Sequence, residues 1–283
     1  MYPDFGFLTR DKKAGNQWWL IAIMREFKFL FSLWKTNLAA AMEYRAAFIS
    51  QSIGMILNDA VYFVVWIIFF DRFPTIRGWQ LTDMYIVFGI SASAFGLAGL
   101  LFGNAFNLGD IIVMGRLDYY LSLPRPTLLH VLASRVVPSS FGDFLYGFIS
   151  YFASGQLSID GLGRFVFGVI LAMTVFVAFL VIVQSLSFWL GAGGIFTNMA
   201  INAMVTFAIY PITLFNQTAK VILFLVVPAA FMGAVPAGFV KGFSWSTLGL
   251  MLLGAIGFLT VAILVFHAGL RRYESGSAIQ TEV

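Results

Sequence analysis

The chain contains no cysteine, only two histidines and few charges of either sign. Without cysteine there are no disulfides, thiolate metal sites or cysteine nucleophiles, and the redox state of the compartment stays open. His130 and His267 lie far apart, with no HExxH-like pairing, so no metal site is expected. No GxxxxGK[ST] loop is present to bind and split ATP, and no serine sits in a GxSxG turn. The chain is therefore read as something other than an enzyme. Charged residues make up 11% of it, against about 25% in a soluble domain, which leaves no room for a sizeable soluble part. No short apolar core precedes a small-residue cleavage site, so no cleavable signal peptide is expected.

What fills the chain is apolar: 60% hydrophobic and 17% aromatic residues, with a mean hydropathy of +0.89. At about 20 residues per span, 283 residues allow roughly six or seven membrane helices. The fold class expected is an all-α polytopic membrane protein. The net charge of +4 and pI near 9.4 suit basic membrane edges better than nucleic-acid binding.

Residues 1–16 are polar and aperiodic, a flexible tail. In 17–45, Arg25, Lys28 and Lys35 recur at helical spacing on a narrow basic stripe, and Trp18, Trp19, Phe27, Phe31 and Trp34 fill the rest. That pattern predicts a helix lying in the membrane interface. The alternative, an ordinary first span, would bury several charges at about 2.5–3.5 kcal/mol each. Six spans then follow: Phe48–Phe70, Met84–Leu108, Val131–Phe152 (interrupted by Pro138, Gly142 and Gly147), Phe165–Leu190, Met199–Phe215 (kinked at Pro211) and Leu248–Leu270. The stretch 219–240 is apolar enough to span, but Pro228 and Pro236 interrupt it. With the N-terminus inside and six spans, twelve of the 17 Lys and Arg fall on the cytoplasmic side. A seventh span would put Arg271 and Arg272 outside. The stretch 219–240 is accordingly read as a broken outer-side helical pair, and 273–283 as a cytoplasmic tail.

Two carboxylates lie inside the spans. Asp59 is the midpoint of the first, the most expensive place for it, and Tyr62 shares its helix face; Asp143 lies in the broken third span. They would hold a cationic or polar substrate, carry protons, or hydrogen-bond a broken neighbouring helix, and the sequence leaves these readings open. The stretch GRLDYYLSLPRPTLLHVLASR, 115–135, sets arginines and paired prolines between two apolar runs. Either it is a plain loop, or a short amphipathic helix stopped by Pro124 forms a rigid knob for another protein's groove.

GRLDYYLSLPRPTLL resembles the "G-x-[LI]-D-x-x-L-x-x-P" cytosolic insert of bacterial ABC-2-type permeases, in the branch whose permeases lack a fused ATPase. MEYRAAF (42–48), GLRRYESGS (269–277) and PITLFNQTAKVILFLVVPAAFMGAVPA (211–237) agree with that branch, so the resemblance covers about residues 20–277. It departs at Ser122-Leu123-Pro124, where the basic residue falls instead at Arg125. The resemblance implies a connector helix over 17–45, a six-helix domain over 46–272, and a coupling insert, 109–130, seated on a separate ATP-binding subunit. Arg116, Asp118 and Tyr119 would make its polar contacts and Leu117 and Tyr120 its apolar ones, with Pro124, Arg125 and Pro126 completing the knob. It further implies an exit closed by the outer pair, with Pro228, Phe231 and Pro236 as gate residues, and a translocation path past Asp59, Tyr62 and Asp143. ATP and Mg would be bound by two copies of the partner subunit, with no cofactor on this chain. A second permease chain, a different one rather than a copy, would complete an exporter of a hydrophobic or amphipathic compound, cations included, or of a lipid, in the bacterial inner membrane, both termini cytoplasmic. The rival reading is a proton-coupled secondary transporter with Asp59 and Asp143 as its relay.

Overall fold

The computed structural model describes residues 15–191 and 194–273; their regular structure is helical, without β-strands beyond one isolated bridge. The N-terminal tail and the end of the C-terminal motif lie outside the described residues. The helices are α1 (Gly15–Ala41), α2 (Arg45–Arg72), α3 (Leu81–Phe102), α4 (Leu108–Val113), α5 (Leu117–Leu121), α6 (Thr127–Ala133), α7 (Ser140–Ala153), α8 (Ile159–Ser185), α9 (Ser187–Leu190), α10 (Gly194–Ala208), α11 (Gln217–Leu225), α12 (Ala229–Met232), α13 (Ala234–Lys241) and α14 (Trp245–Leu270).

Among the described residues, four segments are long and apolar enough to cross a membrane alone: α2, α3 with its extension through α4, α8 with α9, and α14. The expected third and fifth spans are shorter than a bilayer-spanning helix. Around Pro138 the third splits into α6 and α7, joined by a non-helical segment, and α10 ends before Pro211. The stretch after α10 is broken at Pro228 as expected, but the second break falls at Gly233, because Pro236 sits in the first turn of α13, where its missing N–H is tolerated; α11 meets α12–α13 at a bend of 70°. Non-helical backbone at membrane depth needs protein partners. Here the end of α3 supplies them: Gly103 N–H donates to the Arg135 carbonyl at 3.0 Å, and Val137 N–H to that of Gly99 at 3.0 Å.

Helix starts follow local chemistry. Asp83 closes a capping box on α3, accepting from Gln80 N–H at 2.9 Å. Ser158 caps α8 and Asn216 caps α11. The α2–α3 connection turns through Arg77 and Gly78, both at positive φ, between the bridged pair Ile76 and Trp79. The Asp83 carboxylate also pairs with Lys241 at 2.8 Å, and that ammonium sits 5.1 Å from the Trp79 ring centroid. The α2–α3 turn and the end of α13 are thereby fastened together.

Packing sorts the helices into an inner and an outer set. α3 and α8 are mostly buried, whereas α2 and α14 expose most of their apolar surface. The most extensive contact joins α3 to α7. Between lipid-soluble helices there is no hydrophobic drive to associate, so close backbone approach through small residues supplies the packing. A Cβ placed on Gly147 would lie 2.5 Å from the Gly89 carbonyl oxygen and 2.7 Å from the Ser93 nitrogen. Gly147→Ala is therefore expected to destabilise the bundle by about 2–3 kcal/mol. Gly163→Ala, in α8 with nothing near its Cβ position, should be neutral or stabilising by up to about 1 kcal/mol. Thermal unfolding of both purified variants in detergent checks the pair, and equal shifts would refute the seam.

Candidate functional site

Two places gather polar groups: a cavity at membrane depth and the end of the bundle that carries 109–130. The cavity is about 370 Å³ and lies between α2, α3, the start of α7 and α10, with Met232 of α12 closing one side. α2 contributes Asn58, Asp59 and Tyr62, and α10 contributes Asn202 and Thr206. α7 meets α2 where Gly142 abuts the Ser52 backbone and Met55. The next residue, Asp143, is consequently delivered to Asp59, and the two carboxyls lie within hydrogen-bonding reach of each other. Asp143 is 4% exposed, and one oxygen of each carboxyl, Oδ2, has no donor among the described residues. Asn58 lies beside Asp59 on the cavity wall. The sequence placed Asp59 and Asp143 in different spans without showing that they meet. Tyr62 lies at the cavity mouth, largely exposed, and Tyr210 packs edge-on against Trp66 beside it.

A second buried polar group was missed: Gln184, in the apolar run of α8. Its Oε1 accepts from Gly109 N–H at 2.9 Å and from the Thr197 hydroxyl at 3.0 Å, and its Nε2 donates to the Ala105 carbonyl at 3.3 Å. It ties the start of α4 to α8 and α10. A glutamine inside VIVQSLSF carries the same signal that marked Asp59.

At the other place, α4, α5 and α6 form a compact insert. Gly115, at φ 69°, supplies the left-handed turn between α4 and α5 that any Cβ would strain. The insert is clamped to α1. Arg125 pairs with Glu26 at 2.7 Å and stacks its guanidinium 4.3 Å from the Phe29 centroid. Phe29 and Tyr120 both meet the His130 ring edge to face, at 5.2 and 5.3 Å. Trp34 Nε1–H donates to the Leu101 carbonyl at 2.8 Å, and Asn37 to that of Ala133 at 3.1 Å.

Two expectations about the knob need correcting. Leu117, expected to face a partner, is fully buried in this chain's own core. Arg125, expected at the docking surface, is instead held by Glu26 and Phe29. Asp118 is half-buried beside Tyr273, whose phenol is pushed up to about 12 by burial and then by that carboxyl. Arg116, Tyr119, Pro124 and Pro126 are exposed, as are Arg25, Lys28 and Lys35 on α1's outer face. The gate candidates Pro228, Phe231 and Pro236 are all buried. Phe231 packs against Phe224 and Phe258, and Pro236 approaches Gly168 of α8. No group of three or more metal-ligating side chains occurs among the described residues.

The described residues thus form a helical bundle with membrane-span candidates, a folded insert clamped to α1 and a broken helical pair before the last long helix. The family model of the ABC-2 family transporter protein matches residues 56–277. The chain therefore belongs to the ABC-2 transporter family, as a membrane permease that works with an ATP-binding subunit. No curated protein and no solved structure matches it significantly.

His130 links the clamp to pH. Burial, and next the Arg125 charge, hold its imidazole below the usual value. A depressed base favours the neutral form in the fold, so its contribution to stability is complete above about pH 6.5. That contribution is lost as pH falls through the folded value. The unfolding temperature should therefore drop between pH 7.5 and pH 5 by more in the wild type than in His130→Phe, which keeps both ring contacts. Identical pH slopes would contradict this reading.

Proposed function

We propose that the chain is the membrane subunit of an ATP-driven exporter, moving a hydrophobic or amphipathic small molecule or lipid out of the cytoplasm. The observation that carries this reading is the insert: a rigid unit fastened to α1 and, through Gln184, to α8 and α10, yet presenting an exposed tip. A solvated loop needs no such clamp, whereas a lever that receives force from a separate subunit does. The distribution of Lys and Arg supports a cytoplasmic location for the insert and both termini.

Two copies of an ATP-binding subunit, carrying ATP and Mg, dock beneath the permease and a second permease chain, in this reading a different one. Closure of the ATPases on ATP moves the insert, and the permease pair shifts between inward- and outward-open packings. Residues 1–16 and 273–283 remain cytoplasmic tails, 17–45 the connector and 46–272 the transport domain. Pro228, Phe231 and Pro236 stiffen the outer pair that closes the exit. Tyr119, 64% exposed, takes over the partner contact that buried Leu117 cannot make, with Arg116 beside it.

A proton-coupled secondary transporter is the competing reading, favoured by the contact between Asp59 and Asp143 alone. The two differ in their energy source, since transport on a proton gradient would survive ATP depletion. For the ATP-driven reading, Tyr119→Arg should lower transport at least ~10-fold by misplacing one interface contact of about 1.4 kcal/mol or more. ATPase activity of the complex should persist, and the unfolding temperature of the permease should not move, because Tyr119 points away from its core. Unchanged transport in Tyr119→Arg would overturn the docking assignment.

A further inference from the structure

The cavity's chemistry goes beyond a generic transport path. Ionised carboxylates only accept hydrogen bonds, so two carboxyls can bond each other only with a proton between them. Asp59 and Asp143 are within that reach, and the Oδ2 of each has no other donor among the described residues. Both carboxyls line the same cavity, with Asn58 beside Asp59. Among the described residues, no Lys, Arg or His lines the cavity. The titratable groups facing the pair are Tyr62 of α2, Tyr146 of α7 and Tyr210 beyond α10, with Tyr85 of α3 behind Tyr146. All are phenols, and the other α3 side chains on the wall, such as Phe88 and Phe95, carry no ionisable group.

We propose that Asp59 and Asp143, sharing one proton, give the cavity a single net negative charge and make it a binding site for an organic monocation. This rests on the reading of the cavity as part of the translocation path. The cavity, about 370 Å³, is far larger than a bare metal ion and falls within the range of small-molecule sites. Its walls carry the faces and edges of Phe88, Phe95, Tyr62 and Tyr210, and the thioethers of Met55 and Met232. Aromatic rings attract a quaternary or tertiary ammonium without requiring it to donate hydrogen bonds. Charge matching then sets selectivity. A monocation neutralises the pair and leaves the shared proton in place. A dication is neutralised only if the proton leaves. A neutral isostere finds no partner for the charge.

Three probes of one shape separate these cases: tert-butylbenzene, phenyltrimethylammonium and its para-bis(trimethylammonium) analogue. Each is titrated calorimetrically into the full-length chain in lipid nanodiscs, in two buffers of different ionisation enthalpy, so that protons released per ligand are counted. The monocation should bind at least ~10-fold more tightly than the neutral isostere and release no proton. The dication should bind more weakly than the monocation and release about one proton. In Asp143→Asn, where the amide takes the place of the protonated partner, monocation binding should stay within about threefold and the dication should release no proton. The double variant Asp59→Asn/Asp143→Asn should lose at least ~10-fold in monocation affinity.

Equal binding of the neutral and charged isosteres, or a proton released by the monocation, would overturn the proposal from wild-type protein alone, whatever the variants do. Retained monocation affinity in a folded double variant would overturn it as well. No ATPase takes part in these titrations. A chain that binds the monocation as stated but never engages an ATP-binding subunit would refute the exporter reading and leave the cation site standing.

Discussion

The contact on which the rest depends is the close approach of α3 and α7 through their glycines. Gly89 and Gly147 bring two backbones together where any side chain would force them apart. With α7 seated there, Gly142 abuts α2, and Asp143 reaches Asp59. The same seating keeps residues 134–139 against the end of α3, where Gly99 and Gly103 take up their free backbone groups. One seam therefore fixes both the cavity and the root of the insert.

Buried polar groups at membrane depth separate by how well they are satisfied. Gln184 is 2% exposed and uses both ends of its amide on named partners, so it acts as a brace between α4, α8 and α10. Asp59 and Asp143 are incompletely satisfied, at a depth where an unpaired polar group costs several kcal/mol. Structure alone gives no reason to keep such a pair, and a ligand or a proton does. The brace runs from the cavity wall toward the insert, so a movement of α4 is carried into α8 and α10 rather than lost in a flexible loop.

Much of the architecture was legible in the sequence because membrane helices report themselves by composition. The spans around α2, α3, α8 and α14, the break at Pro228 and the interruption at Pro138 all follow from apolar length and proline chemistry, whereas Pro236, expected to interrupt, sits in the first turn of α13. The cost of Asp59 at mid-span was equally visible. What could not be read was which faces meet. Leu117 looked like a docking residue because LDYYL is amphipathic, yet its apolar side turns into the bundle. Arg125 looked outward because prolines flank it, yet Glu26, 99 positions away, claims it. The meeting of Asp59 with Asp143 depends on a glycine contact between separate helices, a fact with no local signature. Gln184 did have one, as a lone amide in an apolar run.

The central claim, that this chain is a permease whose insert serves a separate ATPase, is tested most directly by isolating it from its native host. The tagged chain is extracted in mild detergents, and everything bound to it is identified and quantified by mass spectrometry. The account predicts an ATP-binding subunit carrying a GxxxxGK[ST] motif, present in equal amount to total permease. A chain that emerges alone from every detergent, while remaining folded, would contradict it.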